Sequence, residues 1–276
     1  MSAPVLTVYT DEEPCPRVEV FFPSFDAGTA TVTVYQLSDG IERELRGAVN
    51  APTGGTLSRI DFEAPFNRPV SYRAMQFDAA GQQLGFTPTA SATVPSRKSW
   101  MHNPLDPQGA IKVEFGPESA PRIVRPTPGV VSRPKGRRVG VLLSEPRQGI
   151  VGLQLDVRTT SDADADAVQA MCGDRGKPPV LCIRLGSEES AMRVPQPLYL
   201  SALSAPEIEI DRRLGGNEIS HQIEGDEVAP PIPGLFVPLL TRADLNAFFA
   251  TRAALNAGGL TRADINRRYD LAGAAG

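Results

Sequence analysis

Histidine is scarce in this chain, and so are cysteine and the aromatic residues. Its 276 residues include two His, three Cys, one Trp and five Tyr. Nucleophilic catalysis generally needs a Ser or Cys beside a His base, and only His102 and His221 can fill that role. Cys15, Cys172 and Cys182 have no C-x-x-C spacing, so they predict free thiols and no metal site. We therefore expect a protein that is not an enzyme and holds no cofactor or metal.

Positive charge is not in excess, and long apolar runs are absent. The chain has 28 Lys and Arg against 32 Asp and Glu, a net charge of -4. Proteins that bind nucleic acid usually present a basic face to the phosphates, so we expect no nucleic-acid partner. No stretch approaches about 18 consecutive apolar residues, and residues 1–10 lack the pattern of a signal peptide. The prediction is a soluble chain without membrane insertion.

Proline and glycine are abundant, with 26 and 25 residues, which indicates many short strands joined by turns. The segments Arg17–Ser24, Thr29–Leu37 and Val70–Asp78 are rich in Val, Thr and aromatic residues. The last one alternates at period two, which places Tyr72 and the residues two positions away on one face. We predict a β-sandwich of six or seven strands for residues 1–95, similar to a fibronectin type III domain.

The middle of the chain divides into a linker and a second domain. Residues 96–108 contain two prolines and Trp100, and they predict an extended linker because proline restricts itself and the residue before it. Residues 109–229 mix strand segments with one helix, in TTSDADADAVQAMCGDRG. Ser161 can cap this helix, and acidic residues follow where the helix dipole favours negative charge. The pattern predicts an α+β, split-barrel-like domain.

Residues 230–276 form a C-terminal arm that contains a tandem repeat. From Thr241 the sequence is TRADLNAFFA, TRAALNAGGL, TRADINRRYD. Each Thr can cap a short helix, whereas ten residues rotate a continuous helix about 80° short of full turns. We therefore predict three short capped helical turns. Such an array cannot bury much surface by itself, so we expect it to lie against this chain or a partner.

Three features follow one another in this sequence: the sandwich-like segment, SWMHNPLDP leading into IVRPTPGVVSRPKGRRVGVLLSEPRQG, and the decapeptide array. In this order they resemble the minor tail proteins of long-tailed (siphovirus) bacteriophages of actinobacteria. The decapeptides carry Arg242, Arg252 and Arg262 where that family often has Trp or Tyr. The residues at matching places are Trp100, His102, Asn103, Pro104, Arg133, Pro134, Gly136 and Arg137.

The resemblance implies a non-enzymatic structural component of a phage tail, at or near the distal tail tip. Such a protein is synthesised in the host cytoplasm and then resides in the virion. Its implied partners are other tail proteins and further copies of itself, with rings of three or six copies as options. Contact with the host surface is left open by the resemblance.

Each candidate interface residue has two readings. The basic run RPKGRR is either a contact with an acidic neighbouring subunit or a solvated hairpin turn. Trp100 either anchors an interface or fills a gap between the two domains. The apolar decapeptide residues either pack on the second domain or dock on another tail protein. The candidates are Trp100, Arg133, Lys135, Arg137, Arg138, Leu245, Phe248, Phe249, Leu255, Ile265 and Tyr269.

Other functions are open at this point. The alternative is a cell-surface glycan-binding module used in host recognition, with Tyr72 or Trp100 as the aromatic contact. A third hypothesis, a carboxylate hydrolase, needs two carboxylates about 5–10 Å apart, and the sequence singles out no such pair. His221 lies in ISHQIEGDEV, where neighbouring carboxylates can complete a metal site, although an exposed acidic loop is the simpler expectation.

Overall fold

The computed structural model describes residues 2–173, 177–210, 217–232, 242–249, 251–257 and 265. The chain is mainly β, as predicted, and its strands form several antiparallel sheets. It has two compact units. Unit 1 comprises Met1–Ser96, Leu105–Gln108 and Pro231–Gly276, and unit 2 comprises Arg97–Pro104 and Gly109–Pro230. No helix in the described ranges combines the length and the apolar character that crossing a membrane requires.

The strands of unit 1 form two sheets. One has the order β1-β2-β6, and the other has the order β4-β3-β7-β8, with β5 paired to β3 and β9 to β7. The predicted strands in the segments RVEVFF, TVTVYQLS and PVSYRAMQF are present as β2, β3 and β7. The strands are β1 (Val5–Tyr9), β2 (Arg17–Phe22), β3 (Thr31–Ser38), β4 (Ile41–Glu44), β5 (Ala51–Pro52), β6 (Leu57–Asp61), β7 (Pro69–Phe77), β8 (Gln83–Phe86) and β9 (Ala90–Thr93).

A buried polar group links the two sheets of unit 1. Asp61, at the end of β6, accepts hydrogen bonds from the Tyr72 hydroxyl of β7 and the Gln36 amide of β3, both at 2.7 Å. Burial raises the pKa of the Asp61 carboxyl, while these hydrogen bonds and a nearby backbone amide oppose the rise. As predicted from the alternation of β7, Tyr72 faces inward together with Val70, Ala74 and Gln76.

Unit 2 is built on a seven-stranded sheet with the order β16-β15-β10-β11-β14-β18-β17, beside a separate two-stranded ribbon of β12 and β13. A 3-10 turn spans Ser187–Glu189. The elements are β10 (Ser99–Asn103), β11 (Asp106–Phe115), β12 (Gly129–Ser132), β13 (Val141–Ser144), β14 (Leu153–Thr159), α1 (Asp162–Met171), β15 (Val180–Arg184), β16 (Leu198–Ser201), β17 (Glu207–Glu209) and β18 (Ile219–Gly225).

One face of the large sheet carries the core of unit 2. The predicted helix α1 is present, and the Ser161 hydroxyl caps it by accepting from the Asp164 backbone amide. Gly173, at φ +121°, follows the helix end. The buried apolar residues include Met101, Ile111, Val113, Leu153, Leu155, Val157, Val168, Met171, Leu181, Ile183, Leu198 and Ile223.

The predicted linker, residues 96–108, is wrong as a description of this segment. Ser99–Asn103 form β10, an interior strand of the large sheet in which every residue is buried. The prolines of this stretch, Pro95, Pro104 and Pro107, lie outside this strand. The five residues Ser99–Asn103 therefore keep the backbone N–H groups that a central strand must donate.

The first two decapeptides form short separate helices, as predicted. Helix α2 spans Arg242–Phe248 and α3 spans Arg252–Ala257. The Thr251 hydroxyl accepts a hydrogen bond from the Ala254 backbone amide at 3.1 Å, which is the predicted N-terminal cap of the second repeat. In the third repeat only Ile265, which is helical, lies within the described residues, and Tyr269 lies outside them.

Replacing Tyr72 with phenylalanine tests the link between the two sheets of unit 1. Tyr72→Phe removes a hydroxyl donor from the buried Asp61 carboxyl, so we expect it to lower the free energy of unfolding by about 1–3 kcal/mol. Calorimetric unfolding of the full chain measures the loss. Tyr35→Phe is the matched control, because Tyr35 is only half-buried and contacts Phe86 through its ring. Equal losses in both variants would contradict this role of the Tyr72 hydroxyl.

Candidate interaction surface

A two-stranded hairpin of unit 2, residues 129–144, stands apart from the seven-stranded sheet. Its strands pair in register, with Val130 opposite Leu143 and Val131 opposite Leu142. Directly opposed residues share a face of a hairpin, and successive residues alternate between faces. Val130 and Leu143 therefore lie on one face, whereas Val131 and Leu142 lie on the other. Both faces of the hairpin are apolar.

These apolar side chains are exposed on both faces. Val130 and Leu143 are 69% and 62% exposed, and Val131 and Leu142 are 51% and 64% exposed. An isolated two-stranded hairpin is marginally stable in water, because it has no third element against which to bury its apolar side chains. A contiguous exposed apolar patch usually marks an interaction site. The hairpin is therefore the candidate interaction surface of this chain.

The pairing of the hairpin continues past the base through backbone hydrogen bonds between its two flanking segments. The amides of Glu145, Gln148 and Val151 donate to the carbonyls of Pro128, Pro126 and Val124 at 2.9–3.0 Å. With this extension the paired ribbon has a length on the order of 25 Å, at the usual rise of a strand. Next to its base, Ile150 is fully buried in the core of unit 2.

The tip of the hairpin is strongly basic. The backbone amide of Arg137 donates to the Pro134 carbonyl, and Gly136 adopts φ +86°, a conformation that favours glycine. This is the predicted turn. The candidate residues Arg133, Lys135, Arg137 and Arg138 all lie in this exposed connection, and residues 129–144 contain no Asp or Glu. Without these four, 24 of the 28 basic residues remain against 32 acidic ones, so the rest of the chain has a formal charge of -8.

Sequence reasoning found the basic turn but missed the exposure of its strands. It placed this segment among the strand segments of residues 109–229 and did not set it apart from the others. The available signal was the lack of alternation: Val130–Val131 and Val141–Leu142–Leu143 place apolar residues at successive positions. Such runs are typical of a strand that is covered on both faces. The residues that the structure describes cover the hairpin on neither face.

The candidate residues of the decapeptide array are only partly covered. Leu245, Phe249 and Leu255 are half-buried, and so is Ile265. Phe248 is 55% exposed, and its ring packs edge-to-face on Phe249 with 4.9 Å between ring centroids. The chain leading to the array is held in unit 1, where the Arg46 guanidinium donates to the carbonyls of Pro231 and Ile232 at 3.2 Å.

Two aromatic residues singled out from the sequence are buried. Trp100 is 4% exposed in β10, with the Lys112 ammonium 5.8 Å from its ring centroid, and Tyr72 is fully buried in β7. Neither ring offers a free face to a glycan or to another subunit. Stacking against sugars or anchoring at an interface requires such a face. Trp100 therefore does not join the hairpin residues as part of the interaction surface.

The expectation of an exposed acidic loop around His221 is wrong. His221 lies in β18 and is fully buried, with Nε2 at 3.1 Å from the Thr159 hydroxyl and Nδ1 at 3.8 Å from Oε1 of Glu207. The carboxylates of Asp226 and Glu227 accept from the backbone amides of Gly152 and Ile150. Among the described residues, no group of three His, Cys, Asp or Glu is placed to hold a metal ion.

Comparison of this chain with protein-family models, with curated proteins and with solved structures found no match. The hairpin, its charge and its exposed apolar faces are therefore the features from which a function can be argued.

The stability of unit 2 should depend on pH through His221. Burial lowers the pKa of this imidazole, and the Glu207 carboxylate opposes the shift. As the pH falls below about 6.5, the unfolded chain therefore binds the proton first, and stability declines until the pH reaches the folded-state pKa. His221→Gln keeps a hydrogen-bonding group but cannot titrate in this range.

We expect the unfolding temperature of the native sequence to fall more between pH 7.5 and 5.5 than that of the His221→Gln variant. Calorimetric scans of both full chains at the two pH values measure the difference. Because other titrating groups are the same in both proteins, their contributions cancel in this comparison. An identical pH dependence in both would show that His221 is not responsible.

Proposed function

We propose that this chain is a non-enzymatic structural protein of a phage tail, at or near the distal tip, that assembles with copies of itself. The fold assignment in finer detail is part of this proposal: residues 1–95 are a fibronectin type III-like sandwich, and residues 109–229 an α+β split-barrel-like domain. The resemblance of the sequence to minor tail proteins supports the tail setting and the virion location. The exposed apolar hairpin supports self-assembly.

The exposure of the hairpin on both apolar faces is the observation that carries the proposal. Burying Val130, Val131, Leu142 and Leu143 is favourable by roughly 25 cal/mol for each Å² of apolar surface removed from water. None of the four is covered by the described part of this chain. A subunit whose hairpin packs against a neighbouring copy buries this apolar surface. It thereby gains a stabilisation that the isolated chain lacks. Soluble monomers rarely expose a large contiguous apolar surface.

The C-terminal arm supplies a second contact in this proposal. The decapeptide helices are too short to be stable alone, since helices below about 12 residues are marginal in water. Their apolar residues Leu245 and Leu255 are half-buried, while Phe248 remains exposed. We assign to this arm the docking of a neighbouring tail protein.

Self-assembly is tested by removing apolar surface from the hairpin. In the variant Leu142→Ser with Leu143→Ser both positions are more than 60% exposed, so the substitutions should leave folding intact. We expect the native chain to form oligomers in multi-angle light scattering and this variant to shift toward the 29.5 kDa of one chain. A native chain that is monomeric at every concentration tested would contradict self-assembly.

The matched control is Ile41→Ser with Leu84→Ser, which removes two exposed apolar side chains from unit 1, at 50% and 42% exposure. It should leave the oligomeric mass unchanged.

The tail setting is tested separately, by mass spectrometry and antibody labelling of purified particles of the phage whose genome encodes this chain. If the chain is absent from particles, the tail setting fails, whatever its mass in solution.

A further inference from the structure

The exposed apolar residues in the described part of unit 2 fall into two groups. The first is the hairpin with its base. The second lies in residues 203–210, where Leu203 is 84% exposed and Ile208 and Ile210 are 44% and 46% exposed. Ile208 pairs with Ser220 across the sheet, so the two side chains share one face. This second group has the apolar character that a receiving surface for the hairpin needs.

A cavity of about 400 Å³ lies next to the second group. Its lining includes Ser204 and Pro206, which flank Leu203 and Ile208 in sequence, and Gln154, Gln222 and Glu224 from β14 and β18. The register of β14 with β18 places Gln154 opposite Glu224 and Asp156 opposite Gln222. By alternation from Ser220, these residues share the sheet face of Ile208. The cavity and the apolar group are therefore one continuous surface, which we call the receiving face.

The receiving face is acidic. Glu118, Asp156 and Glu224 line the cavity. The Asp156 carboxylate already has partners within the chain. It accepts a hydrogen bond from the Ser220 hydroxyl at 2.5 Å and forms an ion pair with Arg158 at 3.3 Å. Glu118 and Glu224 are exposed and have no ion-pair partner among the described residues. Two carboxylates are therefore available to cations from outside the chain.

We infer that the hairpin of one copy of this chain docks on the receiving face of a second copy. The inference rests on the proposed self-assembly and names the surface that it uses. Hairpin and receiving face match in two independent respects: exposed Val and Leu meet exposed Leu and Ile, and a tip with four cations meets two unpaired carboxylates. Complementary charges of this kind select the partner and fix the register of docking.

A second copy fits this surface better than an unrelated partner. The hairpin is exposed in its own chain, so it does not occupy its own receiving face. Hairpin and receiving face belong to the same compact unit and are different patches of it. Contact between two different patches is heterologous, and it produces a closed ring when the rotation between neighbours closes. If it does not close, the same contact produces an open filament.

Charge reversal on each side tests the inference with the full chain. One variant carries Arg133→Glu, Lys135→Glu, Arg137→Glu and Arg138→Glu, which changes the hairpin tip from four positive to four negative charges. The other carries Glu118→Lys with Glu224→Lys, which reverses the two carboxylates of the receiving face. Each variant alone places like charges together, so we expect the dissociation constant for self-association to rise on the order of 100-fold. An equimolar mixture restores opposite charges at every contact of an alternating assembly. The mixture should therefore regain the mass of the native oligomer in light scattering.

The control variant is Glu13→Lys with Glu44→Lys, which changes the net charge at exposed positions of unit 1 by the same amount as the reversal of the receiving face. It should associate as the native chain does. If the native chain assembles but reversal of the receiving face leaves its mass unchanged, this docking site is wrong while self-assembly stands. If mixing the two reversed variants restores nothing, the pairing of these charges is also wrong. A native chain that never associates overturns both proposals.

Discussion

The alternation of side chains along antiparallel strands is the constraint on which both units depend. In β14 and β18 it sends Leu155 and Ile223 into the core and leaves Gln154 and Glu224 on the opposite face. The same rule gives the hairpin two apolar faces, because its sequence has apolar residues at successive positions. Alternation thus creates both a polar sheet face beside the cavity and a hairpin that the described residues leave uncovered. The candidate interaction surface therefore follows from the geometry of the strands and from the apolar residues at successive positions.

In the proposed assembly, the distribution of charge specifies the orientation in which two copies dock. The four cations of the hairpin are concentrated in one turn, while the remainder of the chain is acidic. Apolar contact alone does not specify orientation, since it is not directional. Carboxylates beside the apolar residues 203–210 would let one subunit distinguish the tip of the hairpin from its base. The proposed interface would then combine a short-range apolar contact with an electrostatic contact that salt weakens.

Hydrogen bonds to carboxylates hold parts of the backbone in place in each unit. Asp61 connects strands of the two sheets in unit 1 through Tyr72 and Gln36. In unit 2, Asp226 and Glu227 accept from the backbone amides at residues 152 and 150, where the chain returns from the hairpin. A buried donor or acceptor that loses its partner is costly, so the Asp61 contacts specify where strands β3, β6 and β7 must lie. The Asp226 and Glu227 contacts hold the backbone at the base of the hairpin.

The sequence by itself determined the local elements of this protein. Its alternation identified β7, Ser161 and its acidic neighbours identified α1, and Thr251 identified the start of α3, because capping and alternation act over a few residues. The tertiary structure alone decided that Ser99–Asn103 form an interior strand, that His221 is buried, and that the hairpin is left uncovered. Burial depends on which distant strands become neighbours, and strand pairing across a long stretch of chain leaves no local signal. For the same reason the sequence showed the basic turn but not the acidic face that we propose receives it.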